Sequence, residues 1–234
     1  MVTLTYQERF KTIKGVFDEF TNRALFELES RDVFDQLLHL IYVGKESNVF
    51  LARKGKEKLI VKIFRLQNTD FRKMYDYIRK DTRYEFLKKH RRDIIFAWAQ
   101  REYKNLMKAQ AAKINSPKPY VFRSHIIVEE MIGDDEPAPA LKDAKPLNPK
   151  AFFEQIITQM RTLYKAGLIH GDLSAFNILN YKEKPYLIDF SQGTVITTPN
   201  CKELLQRDVK NMVSFFRRLG VKYDEEEVLK RIVS

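Results

Sequence analysis

The chain has 234 residues, 42 Lys+Arg against 31 Asp+Glu, and a formal net charge of +11. A hydrophobic fraction of 44% supports a packed core and excludes wholesale disorder. The longest stretch without a formal charge is the 12 residues from Phe190 to Cys201, short of the roughly 17–25 apolar residues that a transmembrane helix needs.

The start, Met1 to Glu8, lacks the basic and then apolar regions of a signal peptide, and Cys201 is the single cysteine. One cysteine excludes an intramolecular disulfide and a Cys-rich zinc site, and the expected setting is a reducing, cytoplasmic one. Apolar positions from Phe10 to Leu28 predict a helix over 9–29, or two short ones broken near Gly15, with a further turn over 33–38. From Leu40 the pattern becomes strand, Gly44 loop, strand (Val49–Ala52), tight turn at Lys54-Gly55-Lys56 and strand (Leu59–Phe64). Residues 66–93 are charged and aromatic with poor periodicity, which predicts an irregular segment. A helix resumes over 94–113 and ends at Ser116-Pro117-Lys118-Pro119. Tyr120–Phe122 and Ile126–Val128 read as a hairpin, and 133–149, with four prolines, as a connector. Helices follow at 151–166, with Gly167 as its C-cap, at 207–219 and at 225–232, and 186–188 is a short buried strand. The class is α+β: a β-rich part, a helical part, and a cleft where they meet.

The chemistry is concentrated in Ile169-His170-Gly171-Asp172-Leu173-Ser174-Ala175-Phe176-Asn177-Ile178-Leu179. An Asp and an Asn five residues apart in a loop after a helix suit phosphoryl transfer. The carboxylate orients a hydroxyl and takes its proton, and the Asn oxygen fills one coordination site of Mg²⁺. The segment matches the kinase catalytic loop H-R-D-L-x-x-x-N except that Gly171 replaces Arg. Asp189, in Leu187-Ile188-Asp189-Phe190-Ser191, falls where a second metal ligand belongs, with Ser191 in place of the Gly of D-F-G. Lys62, in Val61-Lys62-Ile63, resembles the strand lysine that contacts ATP phosphates, and Glu102 is the candidate partner that aims it. Gly44-Lys45-Glu46-Ser47 lies between two strands and would cover the phosphates, with one glycine where a usual kinase loop has three.

Together, Gly-Lys-Glu-Ser-Asn-Val, Val-Lys-Ile, His-Gly-Asp-Leu-Ser-x-x-Asn-Ile-Leu and Ile-Asp-Phe-Ser-Gln resemble the RIO family of atypical serine protein kinases. Supporting segments are 16–21, 97–106 and 207–211, so the resemblance runs from about residue 16 to the C-terminus. The short helical N-terminus, Ser174 and the Trp98–Leu106 segment favour the first-named branch, and the lack of a long charged tail resembles its archaeal members. The phosphate loop is mixed, since Tyr42-Val43-Gly44-Lys45-Glu46-Ser47 looks partly like the second branch.

The resemblance implies a two-lobed protein-kinase-like fold. A short N-terminal helical extension (1–39) precedes an N-lobe (40–132) carrying a flexible insertion near 66–93, and a C-lobe (133–234). It implies that Gly44, Lys45, Glu46, Ser47, Lys62 and Glu102 bind ATP, and that Glu130-Met131-Ile132 form the hinge whose backbone faces adenine. Asp172 is then the catalytic carboxylate, Asn177 and Asp189 hold Mg²⁺ (or Mn²⁺ in its place), and Asp208 braces the catalytic loop. In some members the metal-binding aspartate is itself phosphorylated, which makes Asp189 a second catalytic candidate. The chain departs from the family at Glu129, where an apolar gatekeeper is usual. Only 19 positions separate Asp189 from Asp208, with no A-P-E motif and no room for a long activation loop. Autophosphorylation inside the insertion would use Thr69, Thr82 or a tyrosine.

The implied role is ATP-dependent kinase or ATPase action in maturation of the small ribosomal subunit. One alternative is a small-molecule kinase of the aminoglycoside or choline type, which also uses H-G-D-x-x-x-x-N. Such enzymes insert substrate-binding helices between hinge and catalytic loop, and only 37 positions separate Gly133 from His170. Another is an RNA-binding assembly factor that uses ATP as a switch. Charge distribution bears on it: residues 51–113 hold 19 basic and 7 acidic side chains, and the rest of the chain nearly cancels. This segment, densest at Lys88-Lys89-His90-Arg91-Arg92, is the expected contact for the phosphate backbone of ribosomal RNA.

Overall fold

A computed structural model of the chain describes residues 17–67 and 70–234. The expected helical positions Phe10, Ile13 and Val16, and Thr69, lie outside the described residues. Helix α1 (Glu19–Ser30) begins at Asp18, whose side chain accepts from the Thr21 amide at 2.8 Å. Five strands follow: β1 (Gln36–Val43), β2 (Ser47–Lys54), β3 (Glu57–Phe64), β4 (Pro119–Arg123) and β5 (Ile126–Glu130). They form one antiparallel sheet in the order β1-β2-β3-β5-β4. The first strand starts at Gln36, so Leu37 and Leu38 belong to the sheet and not to the helical turn expected there. Leu37 is buried against α1 between half-buried neighbours, and the strand is exposed from His39 onward, as an edge strand of the sheet.

The two faces of the sheet carry different partners because side chains alternate along a strand. Leu59, Val61, Ile63, Ile126 and Val128 pack under Ala24, Leu25 and Leu28 of α1. Phe64 and Ile127 face the other way, onto Ile94, Ile95 and Trp98 of a long helix. That helix, α3 (Arg91–Ala111), starts three residues before the expected point.

The segment 66–93 holds more regular structure than its sequence pattern suggests. It contains α2 (Phe71–Ile78), capped by the Asp70 carboxylate on the Lys73 amide at 3.0 Å, and a 3-10 turn over Thr82–Tyr84. Met74, Ile78 and Tyr84 are buried with Trp98. Phe71, Met74, Tyr75 and Ile78 fall at i, i+3, i+4 and i+7 and give this helix a clear apolar stripe, but its eight residues are too short a run to stand out in the charged segment around it.

The second lobe is helical. Helix α4 (Pro149–Lys165) has Asn148 as its cap and Pro149 in its first turn; Ala166 is its C-cap, and Gly167 follows with φ +76°. Helix α5 (Cys201–Arg217) starts six residues before the expected point, and α6 (Glu225–Val233) is capped by Asp224. Phe153 of α4 stacks on Phe216 of α5 with ring centroids 4.5 Å apart. Two small pairings sit against this core: β6 (Leu168–Ile169) with β9 (Thr194–Val195), and β7 (Ile178–Tyr181) with β8 (Lys184–Leu187). The β7–β8 hairpin places Asn177 and Asp189 at its two open ends, and the Ile188 amide donates to the Asn177 carbonyl at 3.0 Å.

Candidate active site

Lys62 is the centre of the cleft. Its Nζ donates to Glu102 Oε1 at 2.8 Å and to Asp189 Oδ1 at 2.9 Å, so β3, α3 and the loop after β8 meet on one ammonium. Lys62 and Glu102 are buried, and the Asp189 side chain is 39% exposed. Burial opposes the charge on Lys62, but Asp189 and Glu102 outweigh it and push its pKa up. Burial also opposes the charge on Asp189. Lys62 overrides it by charge and hydrogen bond, and the pKa falls to about 2.

A third carboxyl group, Glu129 of β5, faces the same lysine. One ammonium cannot balance three carboxylates away from water. Burial accordingly raises both Glu102, to about 8, and Glu129, to about 7. The Lys62 charge favours the ionised form of both, with a hydrogen bond added only at Glu102, and the two carboxyl groups titrate as a pair.

Asp172 and Asn177 lie beside this cluster. Asn177 Nδ2 donates to the Asp172 carbonyl at 2.9 Å, which leaves Asn177 Oδ1 for a cation. Asp172 Oδ2 accepts from Gln192 Nε2 at 3.1 Å, and Arg207 stands 3.9 Å from Oδ1. Burial and the Asp189 charge push the Asp172 pKa up, a shift toward a working proton acceptor.

The loop is braced from below by Asp208 of α5, whose two carboxylate oxygens accept from the Gly171 and Leu173 amides, each at 2.8 Å. Burial dominates those two bonds and raises Asp208 to about 7. His170 is buried and held neutral, with its pKa pulled down to about 4, and its Nε2 bonds the Ile188 carbonyl at 3.0 Å.

Gly171 explains itself. Its φ is +75°, and a Cβ there would lie 2.6 Å from the Gln192 carbonyl and 3.1 Å from the Tyr77 hydroxyl. Neither Arg nor any other side chain fits that approach.

The Gly44–Ser47 segment is a tight turn between β1 and β2, closed by the Gly44 amide on the Ser47 carbonyl at 2.8 Å. A Cβ on Gly44 would sit 2.8 Å from that oxygen. Ser47 is buried, Lys45 is exposed, and Glu46 senses Asp189, Lys62 and Asp172, with burial raising its pKa. The loop therefore overhangs the same charges.

Glu130 and Ile132 stand at the end of β5. The Glu130 amide donates to the Lys118 carbonyl at 2.9 Å, and its carboxylate accepts from the Lys118 amide at 3.1 Å. That carboxylate is turned to the opposite face from Glu129.

A buried polar network ties the 66–93 segment to the site, and nothing in the sequence pattern signals it. The Tyr77 hydroxyl donates to the Gln192 carbonyl at 3.1 Å, and Arg101 Nη2 to the same oxygen at 3.3 Å. Arg101 Nε donates to the Gly193 carbonyl at 3.0 Å. Asn105 Nδ2 donates to the Phe190 and Gly193 carbonyls at 2.9 and 2.7 Å. Asp81, fully buried, pairs with Arg83 at 2.7 Å and Arg101 at 3.3 Å. Gln192 thus touches the insertion through its backbone and Asp172 through its side chain.

The donor set is one of hard oxygens, from Asn177 and Asp189, with no His or Cys. Among the described residues no cluster of three or more His, Cys, Asp or Glu forms a self-sufficient metal cage. Mg²⁺ is commonly held by one or two protein oxygens plus substrate phosphates, and these two residues fit that chemistry. Among the described residues no helix is long and apolar enough to cross a membrane.

Comparison with known proteins gives the family. The RIO domain family model matches residues 48–228. The RIO-type serine/threonine-protein kinase Rio1 of Methanocaldococcus jannaschii is 39% identical, with 97% of this chain and 79% of that protein covered. The corresponding Rio1 of Haloferax volcanii is 35% identical over 94% of this chain and 77% of its own length. Among solved structures, the Rio2 kinase-ADP/Mg²⁺-phosphoaspartate complex of Chaetomium thermophilum shares the fold. Its TM-score is 0.68 at 23% identity, covering 90% of this chain and 66% of that one.

Proposed function

This chain belongs to the RIO family of serine/threonine-protein kinases, and from that premise we propose how its residues share the work. Lys62 binds the α- and β-phosphates of ATP and is aimed by Glu102. Gly44, Lys45, Glu46 and Ser47 cover the phosphates, and Glu130 and Ile132 present hinge backbone to adenine. Asn177 and Asp189 hold Mg²⁺, with Mn²⁺ as a substitute, and the ion supplies charge neutralisation on the phosphates. Asp172 accepts the proton of an acceptor hydroxyl as its oxygen bonds the γ-phosphorus and the bond to the β-phosphate breaks, releasing ADP. With water as acceptor the same step is hydrolysis. Asp189 is a further phosphoacceptor candidate, in line with the phosphoaspartate in the Chaetomium Rio2 complex.

The observation that carries this reading is Lys62 bound at once to Glu102 and Asp189, 2.8 and 2.9 Å away. These two partners stand 40 and 127 positions from it in the chain. The small-molecule kinase reading is not favoured, because α4 is the one helix among the described residues between hinge and catalytic loop.

We propose a small-subunit precursor particle or its ribosomal RNA as partner, in the cytoplasm. Support comes from eight exposed basic residues, Arg72, Lys73, Arg79, Lys80, Lys88, Lys89, Arg91 and Arg92, on and after α2 and at the start of α3.

The test is ATP turnover by wild type, Asp172→Ala and Asp189→Ala, with and without small-subunit precursors. Each variant is expected to lose about 10²-fold or more. Unchanged turnover in both would remove the catalytic assignment.

A further inference from the structure

We propose that Glu129 reads the nucleobase, its carboxyl oxygen accepting a hydrogen bond from the exocyclic amino group of adenine. The inference rests on the nucleotide site proposed above and adds a specificity-determining residue to it.

The register of the sheet places the side chain. Glu129 pairs with Ile60, and Ile127 with Lys62. Residues directly opposite in an antiparallel pair share a face, and so do residues two apart on one strand. Ile60, Lys62, Ile127 and Glu129 therefore project from the same side of the sheet. Val61 and Val128 project from the other, where they pack under α1. Lys62 marks the first side as the cleft side, because it reaches Glu102 and Asp189 there. Glu130 turns back toward Lys118. Glu129 is thus the last side chain on the cleft face before the hinge.

Its bonding is incomplete. Glu129 is 7% exposed, and its Oε2 has no hydrogen-bond partner among the described residues. The neighbouring ammonium is engaged elsewhere, by Glu102 and Asp189. A buried carboxyl oxygen left unpaired is unfavourable, and the position does not need one structurally, since an apolar side chain would fill it. A ligand donor resolves the mismatch. The adenine amino group carries two hydrogens: the hinge backbone can take one, and the second needs an acceptor at the back of the pocket. Ionised or protonated, the Glu129 carboxyl offers an acceptor oxygen.

The experiment is a cycle of dissociation constants. ATP and purine riboside 5′-triphosphate, which lacks only the amino group, are each titrated into wild type, Glu129→Met and Glu129→Gln, in the presence of Mg²⁺. Removing the amino group forfeits the hinge bond in both proteins and the Glu129 bond only in wild type, so the penalty is expected to be at least about threefold larger in wild type than in Glu129→Met. Glu129→Gln is expected to retain most of the wild-type penalty, because its amide oxygen still accepts. Effects on the phosphates cancel between the two nucleotides.

An amino-group penalty below about threefold in wild type overturns the proposal without recourse to any variant. So does a penalty in Glu129→Met equal to that of wild type. If wild type binds neither nucleotide, the nucleotide site itself is wrong, an outcome distinct from binding both equally well.

Discussion

Lys62 is surrounded by three carboxyl groups, and the proton they hold has a measurable consequence for stability. Burial raises Glu129 to about 7 from its ordinary 4.5. Between these values the folded chain binds more protons at Glu129 than the unfolded chain does. Its contribution is full below about pH 4.5 and is lost as the pH rises through about 7. In the metal-free protein, the stability difference between wild type and Glu129→Met should therefore decline across that window. Buried His125 and His170, both lowered to about 4, act in the opposite direction but are common to the two proteins. Urea denaturation of both at pH 5, 6, 7 and 8 checks this, and a flat difference would contradict the shift.

Single residues also differ in how far the chain alone reveals them. Asp172, Asn177 and Asp189 stand out in the sequence because phosphoryl transfer would need those groups at that spacing, and the fold brings them side by side. Glu129 shows only as an unusual residue, since its role depends on a strand register that one sequence does not display. Gln192 reaches Asp172 at 3.1 Å from a short loop that could have pointed anywhere.

At the level of elements, the 66–93 segment is where sequence pattern and structure part. Beside its apolar anchors Met74, Ile78 and Tyr84, it is held by polar ones. Asp81, Arg83, Arg101 and Asn105 form a buried network that no count of apolar periodicity detects. The helices of the second lobe, with broad apolar faces, are legible to within a few residues at most of their ends. The network makes two predictions.

Arg101→Ala leaves Asp81 without one buried partner and should cost about 3 kcal/mol or more of stability, read as a fall in the denaturation midpoint. Gln192→Ala removes the donor to Asp172 but not the backbone carbonyl that Tyr77 and Arg101 hold. It should lower kcat about tenfold with KM for ATP little changed, because Asp172 is misplaced while the phosphate contacts stay. A change confined to KM would assign Gln192 to binding.

For the whole molecule, the net charge of +11 is more local than its value suggests. Of the basic residues between 51 and 113, Lys62 and Arg101 are fully committed inside the protein, and Arg83 is bound to Asp81 and Asn105. Lys54 and Lys58 pair with Asp32 and Asp135 at the β2–β3 turn. Of the twelve exposed basic residues of this stretch, eight lie on and after α2 and at the start of α3. There Arg91 lies 4.0 Å from the Phe71 ring centroid and Arg92 5.2 Å from that of Phe20, which fixes their guanidinium groups at the surface.

A phosphate backbone laid across this surface releases counterions for each phosphate it neutralises, so its binding weakens with salt. Replacing Lys88, Lys89, Arg91 and Arg92 together by Ala should weaken binding of small-subunit ribosomal RNA. It should also flatten the plot of log K against log salt by about 0.9 for each phosphate no longer neutralised. Replacing Lys54 and Lys58, which are already paired, should leave both quantities near wild type. Equal affinity and equal slope in the fourfold variant would move the RNA-binding face away from this surface. Weaker binding with the slope unchanged would point to an interaction other than with phosphate.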